Sequence, residues 1–464
     1  IFSGIAIHLI TPTLAVLTLY YAVGKWNDFF TALLYLSKSK LVPLQVILRR
    51  VLIMASNEMM NDASRGNPET IAAGAQKFPV KICSDYFYYL ASDIYISVFS
   101  KIFCKRCYAW CCERMKEMKE NIFQTCSPEE AGISSGSIEE YLRLLSKERL
   151  AMHDLLIVRG GKLCFETYWK PFTSTFRHRL YSCSKSIVST AVGILIEHGL
   201  LSFEDKAVSF FSDKAPKDMN PWLAEMTIRD LLRMATCYEQ GASYKPHDPV
   251  SHKPGQVFSY CTTATTMLCM IIKRVTGKEF MEYLRPVFDE LGISHEAFCI
   301  ETPCGHEWGG SGVCFTAREF AKYADLCTHY GNYNGRQLLP AGYMWEATSK
   351  QIDNGIEHSV PDTDEGYGYQ FWPMRNGGFA MHGMGGQFAL CLPDQDFTLI
   401  TNAYDELNAK CLGNIFEFFW ITIYPELSKD QILVDNCAKE KLDQFCKTLM
   451  LPCPEGKKHS PVEN

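Results

Sequence analysis

The chain has 464 residues, of which 47% are hydrophobic and 21% are charged, which is enough for one large domain with an appendage. Its formal net charge of −6 excludes the strongly basic class of nucleic-acid binders, so no nucleic-acid partner is expected. The 20 cysteines lack the short, regular spacing of small disulfide-rich secreted proteins. This pattern predicts mostly reduced, buried thiols and a cytoplasmic catalytic domain.

The N-terminal segment has the pattern of a membrane protein. Residues 4–24 are apolar over the length of a transmembrane helix, which Lys25, Trp26 and Asp28 end at an interface. A buried core helix is the alternative. The sequence of residues 13–53 resembles the C-terminal part of bacterial sugar ABC-transporter permeases. That resemblance implies a permease-like remnant over residues 1–80, and membrane association of the fused chain through this helix.

Residues 81–114 form a cysteine-rich segment with no such resemblance. Four cysteines have spacings that could indicate a zinc cluster: Cys104, Cys107, Cys111 and Cys112. However, synonymous codons can be chosen for this segment so that the reading frame shifted by one nucleotide encodes a different sequence. That sequence resembles the last helix and tail of the same permease. The codons of Met115-Lys116 then necessarily contain the stop TGA. We therefore hypothesise a frame-disrupted junction between a permease gene and a hydrolase gene, so that residues 81–114 are a poorly ordered linker without metal chemistry.

A second domain is predicted over residues 115–429. In chain order, the pattern predicts a hairpin (155–158 and 163–168), a helix (185–199), capping-box helix starts at Thr227 and Thr316, an antiparallel pair (381–392 and 397–401) and a helix (407–423). Residues 430–464 form a tail with one amphipathic helix and a Pro/Lys-rich end. Because longer members of the family described below continue into a β-rich extension, we expect this tail to be truncated.

The tetrapeptide Ser182-Cys183-Ser184-Lys185 stands where a polar stretch becomes a long apolar helix. A serine and a lysine three residues apart lie on the same helix face. A serine hydroxyl is a poor nucleophile until a base removes its proton, so this spacing suits acyl transfer with Ser182 as nucleophile. The alternative is an N-cap serine with a solvated lysine. Ser184 and Ser186 are the other candidate nucleophiles, but neither lies three residues before Lys185.

Two further motifs follow in the order typical of S-x-x-K enzymes. Tyr260 lies in HKPGQVFSYCTT, just before a predicted helix, and His382 lies in GGFAMHGMGGQF. With these motifs, residues 127–427 resemble the class C β-lactamase-related serine hydrolases, which include esterases, amidases and D-aminopeptidases. The resemblance implies an α/β fold of the α+β type: a β-lactamase/transpeptidase-like antiparallel sheet flanked by helices, with a mostly helical second lobe.

The resemblance also implies a role for each motif. Ser182 would form an acyl-enzyme with a small-molecule ester, amide or peptide substrate, and Lys185 would accept or relay its proton. Tyr260 would act as a phenolate base and return the proton to the leaving group. His382 would stabilise charge or tune Tyr260; a structural histidine is the alternative. Neither a metal nor an organic cofactor is expected.

The glycines after His382 are predicted to serve the substrate. The oxyanion hole is expected from the main-chain N–H of Ser182 and one from this strand, with Gly385 as the preferred residue. Gly383, Gly385 and Gly386 would leave room for a substrate along the strand.

Two departures from the family pattern keep alternatives open. Many relatives have Tyr-x-Asn or Tyr-Asn-Ser, whereas this chain has Tyr260-Cys261-Thr262. The absent amide disfavours β-lactam substrates more than it disfavours esters. The triplet beginning at His382 also departs from His-x-Gly because Met384 takes the last position. The competing functions are therefore a catalytically inactive penicillin-binding-like module and a remnant permease subunit.

Overall fold

The computed structural model describes residues 123–213, 215, 218–238, 250–355, 365–405 and 409–452. The predicted membrane helix and the cysteine-rich segment 81–114 lie outside these residues. Within the described part of the chain, no helix is both long enough and apolar enough to cross a bilayer.

The strands form one large sheet and two small ones. In chain order they are β1 (Ala151–Arg159), β2 (Lys162–Tyr168), β3 (Arg177–Arg179), β4 (Phe298–Cys299), β5 (Val313–Thr316), β6 (Asn332–Tyr333), β7 (Arg336–Gln337), β8 (Trp372–Pro373), β9 (Phe379–Gly383), β10 (Gln387–Leu392) and β11 (Phe397–Tyr404). The central sheet has the order β2-β1-β11-β10-β9-β8, and all its neighbouring strands are antiparallel. A second sheet has the order β3-β5-β4, and β6 pairs with β7.

Helices flank the central sheet and build a mostly helical second region between β3 and β8. They are α1 (Ser135–Lys147), α2 (Cys183–Glu197), α3 (Pro221–Glu225), α4 (Ile228–Leu232), α5 (Thr262–Thr276), α6 (Phe280–Tyr283), α7 (Arg285–Glu290), α8 (Ala317–Thr328), α9 (Ala341–Thr348), α10 (Ala409–Thr422) and α11 (Asn436–Thr448). This arrangement confirms the predicted antiparallel sheet with flanking helices.

Each face of the central sheet buries its own core, because side chains alternate along a strand. On β1, Leu156 and Val158 join the cluster that contains the apolar residues of α2. Leu155 and Ile157 point the other way, into the cluster that contains residues of α1 and α10. All four side chains are fully buried. Such burial contributes about 1.5–3 kcal/mol per large apolar side chain and holds α2 against the sheet.

Most of the local predictions are confirmed. The hairpin consists of β1 and β2, and the tail contains α11. Thr227 and Thr316 each cap a helix through a complete capping box. The prediction of one strand over 381–392 is wrong. Gly385 and Gly386 have φ angles of 86° and 98°, so the chain reverses there and forms β9 and β10.

Among the cysteines whose side chains the structure describes, none forms a disulfide. Most are buried, including Cys183 and Cys269 in helices that line the main core. They act there as small apolar side chains.

Candidate active site

The candidate nucleophile stands in the tight turn that joins β3 to α2. Leu180 extends the second sheet by donating its N–H to the main-chain oxygen of Val313 at 2.8 Å. Tyr181 then adopts a positive φ of 46°, and Ser182 is the N-cap of α2. This turn leaves Ser182 partly exposed, whereas the helix that follows is almost wholly buried.

Lys185 lies one helical turn after Ser182 and is only 1% exposed. Its Nζ donates to Ser182 Oγ at 2.8 Å and to the main-chain oxygen of Gly310 at 2.6 Å. Burial lowers the pKa of Lys185 to about 7, because the charged form loses its hydration. At neutral pH a large fraction of the amine is therefore uncharged, and an uncharged amine can accept a proton.

Tyr260 completes the convergence of the three predicted residues. It precedes α5, and its hydroxyl shares a hydrogen bond with Ser182. Nζ of Lys185 lies 5.1 Å from the centroid of its ring. Burial raises the pKa of Tyr260, so the phenol keeps its proton at neutral pH. The structure thus places the amine of Lys185 and the phenol of Tyr260 beside the partly exposed hydroxyl of Ser182.

The two alternative serines have structural roles. Ser184 is fully buried, and its Oγ accepts the N–H of Val313 at 3.1 Å. Ser186 is 1% exposed and donates to the main-chain oxygen of Gln370 at 2.7 Å. Neither hydroxyl is accessible to a substrate, so Ser182 is the only one of the three that a substrate could reach.

His382 lies among aromatic side chains. Its ring stacks on Trp372 with centroids 5.1 Å apart, and it also packs against Phe388 and Phe416. Trp372 also stacks on Tyr260. The indole of Trp372 therefore lies between the imidazole of His382 and the phenol of Tyr260. Burial lowers the pKa of His382 to about 3. A neutral imidazole packed among aromatic rings fits the alternative of a structural histidine, and a role of His382 in stabilising charge or tuning Tyr260 stays a prediction.

Gly383 is the glycine that packs beside the nucleophile turn. A Cβ on Gly383 would overlap the main-chain oxygen of Leu180, so only glycine allows β9 to approach this closely. A Cβ on Gly385 would instead lie 3.0 Å from Nε2 of Gln387 and 3.4 Å from the oxygen of Ala403. The predicted place of Gly385 in the oxyanion hole depends on its main-chain N–H rather than on this space, and it stays a prediction.

Two contributions to the site were not predicted. The main-chain oxygen of Gly310 holds Lys185, although the two residues are 125 positions apart. Arg179 secures the loop of Gly310, because its Nε donates to the main-chain oxygen of Ser311 at 2.9 Å. Its guanidinium lies 4.5 Å from the ring centroid of Tyr181 and 4.7 Å from that of Trp308. The sequence signal that could have indicated this loop is the Trp-Gly-Gly stretch of residues 308–310.

Known proteins share parts of this sequence and this fold. The 6-aminohexanoate-dimer hydrolase of Paenarthrobacter ureafaciens is 23% identical over 265 residues, which cover 49% of this chain and 67% of that protein. A candidate beta-lactamase from Bacteroides dorei DSM 17855 superposes with a TM-score of 0.51 at 15% identity, covering 60% of this chain and 95% of that chain. At that identity the superposition shows the fold alone.

A shorter match concerns transport proteins. The polygalacturonan/rhamnogalacturonan transport system permease protein YtcP of Bacillus subtilis (strain 168) is 40% identical over 70 residues. These residues make up 15% of this chain and 24% of the permease, so the chain spans less than a quarter of that protein. The match supports the predicted permease-like segment.

One family accounts for most of the described structure. The sequence profile described as Beta-lactamase matches residues 148–403, which is more than half of the chain. The match is to the family as a whole, and the class C subdivision stays a prediction. Ser182, Lys185, Tyr260 and His382 all lie within the matched residues. The chain therefore belongs to the Beta-lactamase family.

Proposed function

We propose that the chain is a serine hydrolase that cleaves ester or amide bonds through an acyl-enzyme on Ser182. The observation that carries this proposal is the 2.8 Å contact between Nζ of Lys185, a buried amine, and Oγ of Ser182, a partly exposed hydroxyl. The family, and a hydrolase among the relatives, supports the same class of reaction.

The first half-reaction uses the uncharged amine as a base. The proton of Ser182 Oγ passes to Nζ of Lys185 as Oγ forms a bond with the substrate carbonyl carbon. The carbonyl electron pair moves to oxygen and creates an oxyanion. When this intermediate collapses, the bond to the amine or alcohol breaks, and the leaving group takes a proton. Because Gly310 accepts one N–H of Lys185, the amine is oriented toward Ser182.

Tyr260 acts in this scheme as a proton carrier rather than as a phenolate. Its raised pKa keeps the phenol protonated, and its hydroxyl is hydrogen-bonded to Ser182. It can give its proton to the leaving group and recover one from Lys185. In the second half-reaction a water attacks the carbonyl carbon of the acyl-enzyme and gives a proton to Lys185. The bond between that carbon and Oγ of Ser182 then breaks, and Oγ recovers the proton from Lys185.

The oxyanion would lie at the start of α2. Ser182 is the N-cap of this helix, and the N-terminal end of a helix favours a negative charge, so the main-chain N–H of Ser182 would be one donor. The second donor would come from the segment after His382, with the main-chain N–H of Gly385 as the preferred group; Gly383 in the same segment packs against the nucleophile turn. Each such donor typically lowers the barrier by about 3 kcal/mol.

Simple esters and linear amides fit this chain better than β-lactams. Thr262 stands where many relatives carry the asparagine that contacts a substrate amide. Among the relatives, one protein is named as a hydrolase of a 6-aminohexanoate dimer, which is an amide of two amino-acid units. A small linear amide is thus a natural first substrate.

The proposal is tested by the turnover of a chromogenic ester and of a linear amide by the full chain. Ser182→Ala should abolish turnover, because no other hydroxyl of the motif is accessible. Ser186→Ala, in the same helix, should stay active once thermal unfolding has shown that it is folded. Turnover that persists in Ser182→Ala would refute the nucleophile. No turnover and no covalent labelling of the wild-type chain would favour the second candidate, an inactive penicillin-binding-like module, which the Cys261 and Met384 departures suggest.

A further inference from the structure

Three potential metal ligands meet at the end of the central sheet that lies away from Ser182. Asp325 stands in the last turn of α8, His329 follows it by four residues, and Asp396 ends the turn between β10 and β11. One nitrogen or oxygen atom from each side chain lies within 4.8 Å of the other two. Two carboxylates and an imidazole are a common ligand set for divalent metals.

This cluster is separate from the candidate active site. β11 begins at Phe397, next to Asp396, and runs for eight residues. Near its other end, the N–H of Ala403 donates to the side chain of Gln387 at 3.2 Å, and the main-chain oxygen of Gln387 accepts the thiol of Cys183 at 3.0 Å. At about 3.3 Å per residue, the two sites are roughly 20 Å apart along the strand.

Asp325 supplies an independent sign that a ligand belongs here. Its side chain is only 4% exposed, yet Oδ1 has no hydrogen-bond partner among the described residues. Nδ1 of His329 lies 3.7 Å from this oxygen, which is too far for a hydrogen bond, and it already donates to the main-chain oxygen of Asp325 at 2.8 Å. A buried carboxylate oxygen without a donor is costly, and a cation in the cluster would satisfy it.

His329 is oriented as a metal-binding histidine usually is. The hydrogen bond from Nδ1–H to the main-chain oxygen of Asp325 leaves Nε2 as the ring nitrogen that faces the cluster. Nε2–H donates to Oδ1 of Asp396 at 2.8 Å, and a bound cation would take the place of this shared proton. Two neighbouring ligand atoms of one metal, each about 2.1 Å from it, are roughly 3 Å apart, so this spacing needs little adjustment.

The cluster is accessible from solvent. The side chains of His329 and Asp396 are 32% and 50% exposed. They line a pocket of about 260 Å³ that also includes Asn332 and Asn334. This volume leaves space for water molecules to complete an octahedral coordination shell.

We propose that Asp325, His329 and Asp396 bind one divalent cation of the Mn²⁺ class, which joins the end of α8 to the β10–β11 turn. Oxygen-rich sites suit hard and borderline cations. The cation links two segments 67 residues apart, so its role is to stabilise the domain rather than to take part in the chemistry at Ser182.

Mn²⁺ itself is the probe of choice because the chain contains 20 cysteines. Thiolates bind Zn²⁺ strongly and would obscure a weaker oxygen site, whereas they compete poorly for Mn²⁺. The full chain, freed of metal with EDTA, is titrated with Mn²⁺ while the free ion is followed by electron paramagnetic resonance. We expect saturation at about one ion per chain and a higher unfolding temperature in the bound form.

Matched variants identify the ligands. Asp325→Asn should weaken Mn²⁺ binding at least about ten-fold and remove the thermal shift. Asp394→Asn removes the same charge from the same turn without removing a ligand, so it should bind like the wild type. If Asp325→Asn does not fold, the half-exposed Asp396 is replaced by Asn with the same expectation. No saturable binding by the wild type, or equal binding by the wild type and both ligand variants, would overturn the proposal.

Discussion

Lys185 controls how the activity should depend on pH. Its pKa is lowered to about 7 by burial, and only the uncharged amine can remove the proton of Ser182. The rate of acylation should therefore rise about ten-fold per pH unit below 7 and level off above it. Because the pKa of Tyr260 is raised, no second loss is expected in the mildly alkaline range. Values of kcat/KM measured from about pH 5 to 9 check this, and a profile that falls through pH 7 would contradict it.

Replacement of Lys185 should separate activity from stability. Lys185→Met keeps a similar side-chain volume but removes the base, so kcat/KM should fall by about 10²–10⁴-fold. The unfolding temperature should not drop much, because the variant no longer buries an ionisable amine. Enzyme assays and thermal unfolding measure the two effects. The control is Lys162→Met, at an exposed lysine, which should change neither kcat/KM nor the unfolding temperature. A fully active Lys185→Met would show that Lys185 is not the base.

Arg179 is a positioning residue whose effect reaches Lys185 through the loop of Gly310. Arg179→Lys loses the bond from Nε to the oxygen of Ser311 and the stacking on two rings. We expect kcat to fall about ten-fold with little change in KM, together with a shifted pH profile, because Gly310 would hold the amine less firmly. Ser311→Ala keeps the main-chain acceptor and should have a smaller effect. A change in KM alone would indicate substrate binding instead.

The sequence predicted the catalytic residues as far as local geometry determines them. Ser182 and Lys185 meet because they are three residues apart in one helix, and this spacing is visible within a single tetrapeptide. The contact of Lys185 with Gly310 joins positions 125 apart, and no local pattern encodes it. The environment of His382 was missed for the same reason, since Trp372 and Phe416 surround it only in the folded chain.

At the level of elements, the close packing of α2, α5 and the loop before β5 aligns the site. A Cβ on Gly309 would overlap Cys269 of α5 and Val188 of α2, and would lie 3.0 Å from Cε1 of Phe280. Gly309→Ala should therefore lower the free energy of unfolding by about 1–3 kcal/mol and reduce kcat, because the Gly310 oxygen would move. Denaturant unfolding and turnover measure these effects.

The matched control for this prediction is Gly342→Ala in α9. No heavy atom lies within 4 Å of a Cβ built there, so this change should be neutral or stabilise the domain by up to about 1 kcal/mol. Equal destabilisation by both variants would show that the packing at Gly309 is not special.

Helix starts were easier to predict than strand ends. The capping boxes at Thr227 and Thr316 are local patterns, and both are present in the structure. The reversal between β9 and β10 depends on the positive φ angles of Gly385 and Gly386. A Gly-Gly pair is a turn signal, but these two glycines were assigned to substrate space, so the hairpin was missed.

At the scale of the whole molecule, the chain combines a permease-like segment with a Beta-lactamase family domain. The hypothesis of a frame disruption predicts that resequencing the DNA around codon 81 will find an inserted or deleted nucleotide. The restored frames would encode a permease end and a separate hydrolase starting at Met115 or Met118. An unchanged sequence, with the same in-frame fusion in related organisms, would contradict this hypothesis.

The most direct test of the central claim is to locate the covalent adduct of a fluorophosphonate on the full chain. The reagent traps the activated serine of a serine hydrolase, and peptide mass spectrometry then identifies the modified residue. We predict a single adduct on Ser182 that is absent from Lys185→Met. An adduct on Ser184, Ser186 or a distant serine, or equal labelling of the Lys185 variant, would contradict the proposed mechanism.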